Sequence, residues 1–190
     1  ICVAVKKGKN LDQINKNIKI YFDWKKMIIQ NNPDYIFVAL PPDNNYEIFK
    51  YILNKNINLF LEKPMTTNIL KAKKMLEIYN KSRCIVHINH TDLYNNVIKK
   101  LLINSNSIKN IEFQITNSSK VKKYISPFED LAPHPIAIAI RLAGMPNKIR
   151  IIENKLNTKK GFISQSSKIL FFTKNRTINI NFSNNYSNPK

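Results

Sequence analysis

Short runs of apolar, mostly β-branched or aromatic residues recur through the first half of the chain and limit the folds open to it. They occupy residues 1–5, 34–40, 57–61 and 84–88. None alternates with polar residues over its length, which is typical of strands covered on both faces in a parallel sheet. Apolar residues at helical spacing separate the later runs, over 46–55 and over a helix that Thr66 or Thr67 can cap. We also expect a helix after the turn that follows residue 5. This order predicts right-handed crossovers in a doubly wound sheet.

The pattern changes near residue 89. A helix is expected over about 93–104, and residues 108–116 alternate as in a half-covered antiparallel strand. Another helix ends at Gly144, and strands are expected over 148–156, 161–173 and 176–183. We therefore predict an α/β chain with a partial doubly wound parallel sheet in residues 1–88. An α+β domain with a mostly antiparallel sheet is predicted in residues 89–190.

The composition argues against several classes of protein. A hydrophobic fraction of 43% excludes a disordered chain, and no apolar stretch is long enough to span a bilayer. The net charge of +19 is ordinarily a sign of a nucleic-acid or anionic-membrane partner. Only 4 of the 31 cations are Arg, however, and Ile, Asn and Lys are enriched together at 30, 28 and 27 residues. That pattern indicates a chain-wide bias, so we expect no nucleic-acid and no membrane partner.

The two cysteines and the first residues bear on location. Cys2 and Cys84 each lie in an apolar run, which predicts buried free thiols and a cytoplasmic protein. The chain opens at Ile1 inside an apolar run, with no initiator Met and no signal peptide. We expect it to be a fragment.

Glu62-Lys63-Pro64 directly follows the apolar run 57–61. Open α/β folds bind ligands at the carboxyl ends of their parallel strands, so this tripeptide is a candidate functional segment. The alternative is a solvated loop with a surface ion pair, because about one residue in seven of this chain is Lys. The local sequence does not decide between the two.

A second candidate is Asp130 with His134, just before the apolar stretch 136–143. Pro133 and Pro135 suit a first helical turn, so we expect a helix to begin here with Asp130 just outside it. A spacing of four lets the two side chains face one site, where a neutral imidazole can take a substrate proton. The alternative is that Asp130 merely caps the helix and His134 is packed.

No metal site is expected. If 84–88 is a strand, a separation of three places His87 and His90 on opposite faces, so they cannot easily share an ion with His134. Cysteine clusters with zinc spacing, a G-x-S-x-G nucleophile and a G-x-x-x-x-G-K-[ST] phosphate loop are all absent from the sequence.

Taken in order, five segments resemble the glucose-fructose oxidoreductase, inositol dehydrogenase and MocA family of nicotinamide-dependent dehydrogenases. Those segments are Pro33–Pro42, the Leu59–Pro64 "EKP" segment, Val86–Tyr94, Asp130–His134 with Gly144, and Ser187–Lys190. The resemblance implies a partial Rossmann domain followed by a partial substrate-binding and oligomerisation domain. It also implies a cis Lys63-Pro64 peptide and a homo-oligomer in the full-length form.

The resemblance implies a mechanism as well. Lys63 would hydrogen-bond the reacting oxygen, His134 would carry its proton, and Asp130 would orient the imidazole or the substrate. Cofactor contacts carry over to Lys6, Lys7, Leu40, Pro41, Pro42, Asn45, Glu62, Lys63 and Pro64. Leu40 replaces a family Thr, and Asn45 stands where a His is usual.

The largest departure is the missing G-x-G-x-x-G turn. Residues 1–5 align with the family's second strand, so the first βα unit is absent, and we expect weak or no cofactor binding and no turnover from these 190 residues alone. That second strand normally ends in an acidic residue that binds a ribose hydroxyl. Here it ends in Lys6-Lys7, which favours NADP, with NAD as the alternative.

The expected function is oxidation or reduction of a hydroxyl or keto group in a small sugar-like substrate, namely a sugar, cyclitol or sugar nucleotide. Three alternatives stay open. They are redox-neutral chemistry or a non-sugar substrate in the same kind of site, a non-catalytic binding protein of the same fold, and a basic nucleic-acid module.

Overall fold

The computed structural model describes residues 1–6, 11–12, 14–103, 108–116, 125–159 and 162–184. Strands and helices alternate in its first half. In chain order they are β1 Cys2–Ala4, β2 Lys19–Tyr21, α1 Trp24–Asn31, β3 Tyr35–Val38, α2 Asn45–Asn54, β4 Asn58–Glu62, α3 Ile69–Asn80 and β5 Val86–Asn89.

All strand pairs of this half are parallel, as the alternation predicts, but they form two sheets. β1 pairs with β2, and β3, β4 and β5 form a second sheet in that order. The sequence reasoning missed β2, because its three residues Lys-Ile-Tyr contain no apolar run. The first described helix therefore follows β2 rather than β1.

The three-stranded sheet buries only one face. Ile36 and Leu59 point from it into a core completed by Phe49 and Ile52 of α2 and by other apolar residues. On the other face Phe37 is 75% exposed, so the prediction of strands covered on both faces is wrong for β3 in the described residues. An apolar run shows only that both faces of the strand are apolar. Whether a helix covers each face depends on the rest of the chain.

Local polar contacts explain where these helices begin and end. Asp23 accepts hydrogen bonds from the first backbone N–H groups of α1, and Asn68 does the same for α3. The predicted cap of α3 at Thr66 or Thr67 is therefore wrong, because the Asn68 side chain is the one that reaches Leu70 and Lys71. Asn56 after α2 has a φ of 57°, as expected for a left-handed helix stop.

The second half begins with a 3-10 turn at Thr91–Tyr94. Then follow α4 Asn96–Ile103, β6 Asn110–Thr116, α5 Pro127–Leu131, α6 Pro133–Ala143, β7 Lys148–Lys159, β8 Phe162–Phe172 and β9 Thr177–Ser183. Their sheet has the order β6-β9-β8-β7, and two of its three pairings are antiparallel. β6 pairs parallel to β9, so its predicted antiparallel pairing is wrong. Alternating burial is present in β6, but it carries no information on strand direction.

A separate core cluster lies under this sheet. Ala139 of α6 packs there against Ile169, Phe171, Ile178 and Ile180 of β8 and β9. The two clusters share no residue, and the domain boundary at 88/89 stays a prediction.

Both cysteines are free; Cys84 is buried as predicted, whereas Cys2 is only half-buried at the edge strand β1. In the described part of the chain, every helix is too short or too polar to cross a membrane.

Candidate active site

The carboxyl end of β4 presents Lys63, as its position after an apolar strand predicts. The Lys63-Pro64 peptide is cis, which confirms the expectation drawn from the resemblance. The Lys63 side chain is only 14% exposed. Its Nζ donates hydrogen bonds to the backbone oxygen of Asp130 at 2.7 Å and to Asp130 Oδ1 at 3.0 Å. Lys63 and Asp130 therefore meet although the sequence treats them as separate candidates.

Asn45 holds the backbone of the turn that follows Lys63. Its side chain is fully buried, and Nδ2 donates to the backbone oxygen of Met65 at 3.1 Å and, more weakly, of Pro64 at 3.5 Å. Among the described residues, Asn45 Oδ1 has no hydrogen-bond partner. The amide therefore fixes the backbone that follows Lys63.

Asp130 reaches Lys63 from α5. Ser126 and Glu129 form a reciprocal capping box at the start of this five-residue helix, and the backbone N–H of Phe128 donates to Gln165 Oε1 of β8 at 3.1 Å. Asp130 lies just outside α6, as expected, but it belongs to α5, a separate short helix that the sequence reasoning did not foresee. The expected helix entry at Pro133 is confirmed, because Pro133 is the first residue of α6.

His134 lies in the first turn of α6, beside a carboxylate that the sequence reasoning did not consider. Asp92 Oδ2 lies 2.8 Å from His134 Nδ1, with side-chain exposures of 45% and 22%. The Nδ1 hydrogen is not aligned on that oxygen, so the contact is electrostatic in this structure. Asp92 belongs to the 3-10 turn directly after β5.

His90 completes the cluster. Burial lowers its pKa from the ordinary value of 6.5, and nearby His134, His87 and Lys63 lower it further, while Asp92 opposes them. Its Nδ1 is buried without a hydrogen-bond partner among the described residues. The lowered pKa favours the neutral imidazole of His90, which interacts electrostatically with both Lys63 and His134.

His87 belongs to an aromatic row on the exposed face of the sheet. Its ring stacks on Phe60 at 4.8 Å between centroids, and Nε2 lies 2.8 Å from the Tyr94 hydroxyl. Within the described ranges, no group of three or more His, Cys, Asp or Glu side chains could hold a metal ion.

The residues assigned to the cofactor follow strands of both parallel sheets, and they differ in burial. Lys6 is exposed just after β1, and Lys7 lies outside the described residues. Leu40 is exposed after β3, Pro41 is half-buried, and Pro42, like Asn45, is buried. Glu62 accepts a hydrogen bond from Asn89, which ties the ends of β4 and β5 together. The motif segment 187–190 also lies outside the described residues.

The sequence reasoning missed Asp92 and Gln165, and it named Asn45 without its support role. Asp92 lies at the carboxyl end of β5, so the rule that singled out Lys63 could also have found it. The support roles of Asn45 and Gln165 depend on partners distant in sequence, and no local pattern indicates them.

Comparison with known proteins finds a family match in the first half of the chain. Residues 4–90 match the sequence profile of the GFO_IDH_MocA family, described as an oxidoreductase family with an NAD-binding Rossmann fold. An uncharacterized oxidoreductase of Schizosaccharomyces pombe is 27% identical over 62 residues, which are 33% of this chain and 17% of that protein.

Solved structures share the fold over nearly the whole chain. A protein of Magnetospirillum magnetotacticum named as an oxidoreductase superposes with a TM-score of 0.86 at 18% identity, covering 98% of this chain and 62% of that one. An oxidoreductase of Agrobacterium radiobacter, solved with NAD+, L-tartaric acid and magnesium, gives 0.77 at 15% identity, covering 90% and 54%. The chain thus spans less than two thirds of the length of these relatives.

Proposed function

We propose that the protein is a nicotinamide-dependent dehydrogenase or reductase, because residues 4–90 match the profile of an oxidoreductase family with an NAD-binding Rossmann fold. Its substrate is a sugar, cyclitol or sugar nucleotide that carries the reacting hydroxyl or keto group. The observation that carries the proposal is the largely buried Lys63 side chain, which Asp130 holds at the carboxyl end of β4.

The residues that follow β1, β3 and β4 fit a dinucleotide. A dinucleotide needs cations near its phosphates and apolar contacts for its rings, and the exposed Lys6 and Leu40 supply one of each at the ends of β1 and β3. When bound, the nicotinamide supplies the acceptor or donor of the hydride. Leu40, Pro41 and the backbone of the Lys63-Pro64 turn would line its site.

The chain's own residues handle the oxygen and the proton of the substrate. The Lys63 ammonium donates a hydrogen bond to the reacting oxygen and stabilises the negative charge that grows there. His134 accepts the hydroxyl proton during oxidation and returns it during reduction. Asp130 holds Lys63 in place, so that its ammonium is oriented before the substrate arrives.

The test uses protein expressed from the complete reading frame and compares Lys63→Met with wild type over a panel of polyols, sugars and sugar nucleotides, following nicotinamide reduction in the presence of NADP+ or NAD+. We expect kcat/KM to fall by about 10²- to 10⁴-fold, the usual range for a positioned acid–base or oxyanion group. Lys55→Met is the matched control, because Lys55 is exposed at the end of α2. Equal activity of Lys63→Met and wild type would contradict the proposal. Turnover without net release of reduced cofactor would favour the redox-neutral alternative.

For the cofactor we propose NADP, on the charge of Lys6, which follows β1, and of Lys7, the next residue in the sequence. Two cations can pair with a 2′-phosphate, whereas a carboxylate at this edge pairs with a ribose hydroxyl. We expect Lys6→Asp with Lys7→Asp to lower NADPH affinity and leave NADH affinity near wild type. Equal NADPH and NADH affinities in both proteins would contradict this preference.

We also propose a cytoplasmic homo-oligomer that binds neither nucleic acid nor membranes. The two free cysteines and the spread of lysine along the chain support this proposal. Light scattering of the purified protein tests the oligomer. DNA binding that weakens steeply with salt and survives Lys63→Ala would overturn the nucleic-acid part.

A further inference from the structure

Two carboxylates lie in the candidate site, and they contact different partners. Asp130 Oδ1 and the Asp130 backbone oxygen accept hydrogen bonds from Lys63. Asp92 Oδ2 lies against Nδ1 of His134 at 2.8 Å. The first carboxylate therefore holds the ammonium, and the second is placed to act on the imidazole.

We infer that Asp92 is the positioning residue of His134, fixing the ring with its proton on Nδ1 and leaving Nε2 as the nitrogen that exchanges a proton with the substrate. This inference rests on the proposed function for its catalytic consequence, but the pairing of Asp92 with His134 stands on the geometry alone. The tautomer of a histidine is set by the group that contacts its other ring nitrogen. A carboxylate only accepts hydrogen bonds, so it selects the form with hydrogen on Nδ1.

The proton balance follows from that tautomer. During oxidation the O–H bond of the substrate would break and its proton would go to Nε2; a bound oxidised nicotinamide would supply the acceptor for the hydride of the C–H bond. The imidazolium that forms lies beside the Asp92 carboxylate, whose negative charge stabilises it. In the reverse direction Nε2 returns the proton to the new hydroxyl.

The contact between Asp92 and His134 suits this role although it is not a formed hydrogen bond. The Nδ1 hydrogen is not aligned on Oδ2 here, and hydrogen bonds between catalytic groups commonly align only when substrate binds. Asp92 is 45% exposed, and an exposed ion pair adds little to folding stability. Loss of the carboxylate should therefore change the imidazole much more than it changes the fold.

The test is the tautomer of His134, read from nitrogen–proton correlation spectra of the imidazole at a pH where the ring is neutral. Wild type should show hydrogen on Nδ1. In Asp92→Asn the side-chain amide can donate to Nδ1, so the hydrogen should move to Nε2. Asp92→Glu should restore the wild-type form. Spectra of His134→Gln identify the His134 signals among the three histidines.

Two controls keep the result specific. His87, which lies against the Tyr94 hydroxyl, should keep its tautomer in every Asp92 variant. Asp34→Asn is the matched substitution, because Asp34 is exposed and precedes β3 at the opposite edge of the sheet. It should leave His134 unchanged.

Kinetics then separate this inference from the proposed function. For Asp92→Asn we expect kcat to fall by about 10²-fold or more with KM near wild type, because a proton-transfer group is misoriented while binding is retained. An unchanged His134 tautomer in Asp92→Asn overturns the inference, whatever the protein catalyses. A switched tautomer with unchanged kcat supports the pairing of Asp92 with His134 and overturns the role of His134 as base.

Discussion

The two halves of the candidate site are held by different physical means. Lys63 comes from the first half of the chain, where a short turn leaves a parallel strand and one buried amide, that of Asn45, binds the backbone beyond it. Asp130 comes from the second half, on a short helix held by a capping box and by Gln165 of the sheet. Strand ends fix a side chain mainly through the backbone, whereas a five-residue helix needs contacts along its length.

The largest predicted effect tests whether the halves are energetically separate. Phe49 is buried in the first core cluster and Ile178 in the second. Phe49→Ala should cost about 3–5 kcal/mol and Ile178→Ala about 2–5 kcal/mol in the free energy of unfolding. Trp24, the single tryptophan, packs edge-on against Tyr51 with 5.0 Å between the ring centroids. Its fluorescence therefore reports the unfolding of the first half.

We expect Phe49→Ala to lower the denaturant midpoint of the Trp24 signal strongly. Ile178→Ala should change the free energy of unfolding reported by Trp24 by no more than about 0.5 kcal/mol, since distant sites without shared partners act independently. Hydrogen exchange in β8 and β9 should show the opposite ranking. If both substitutions lower the free energy of unfolding reported by Trp24 by their full cost, the two halves unfold as one cooperative unit.

The outline of both halves was predictable from the sequence because apolar runs mark strands directly. The cis peptide at Lys63-Pro64 and the left-handed Asn56 also followed from residue type and resemblance. The direction of β6 did not, because alternating burial is the same in parallel and antiparallel pairs. The exposure of Phe37 was missed for a related reason, since an apolar strand face does not reveal what packs on it.

The candidate site was predictable only in part. Lys63, Asp130 and His134 were found by position and resemblance, but the sequence paired Asp130 with His134 through their spacing of four. In the structure Asp130 contacts Lys63, and Asp92 lies against His134. A helix break before Pro133 and the approach of the turn after β5 to α6 decide these partners, and both depend on tertiary packing.

A smaller effect compares the two buried amides that hold the site. Asn45→Ala removes the donor to Met65, and Gln165→Leu removes the acceptor of the Phe128 N–H and the donor to Asn154. Each should cost about 1–3 kcal/mol, because a buried backbone group is left without its partner. Urea denaturation measures the cost.

Matched controls lie on exposed helix surfaces. Asn54→Ala and Gln30→Leu repeat the same kinds of substitution where the side chain is exposed, and each should change stability by less than about 0.5 kcal/mol. Hydrogen exchange should locate the damage, near residues 63–65 for Asn45→Ala and in α5 for Gln165→Leu. Loosening of both segments by either substitution would show that the site is supported as a single unit.

The smallest predicted effect concerns His90, which interacts with charges from both halves. Its pKa is lowered below 6.5 by burial first and then by His134, His87 and Lys63, so the unfolded chain binds its proton more readily than the folded chain does. The free energy of unfolding therefore loses a contribution as pH falls below about 6.5, the unfolded value, and retains it in full above that pH. In His90→Asn this loss should be absent. The difference in stability between wild type and variant should thus be constant above that pH and should change below it, as measured by urea denaturation on both sides of pH 6.5.

A difference independent of pH would mean that the His90 imidazole titrates alike in the folded and unfolded chains. The charges around His90 would then have no effect on folding. Where Trp24 fluorescence and hydrogen exchange separate the two halves, the transition that carries the pH dependence identifies the half whose folding buries His90.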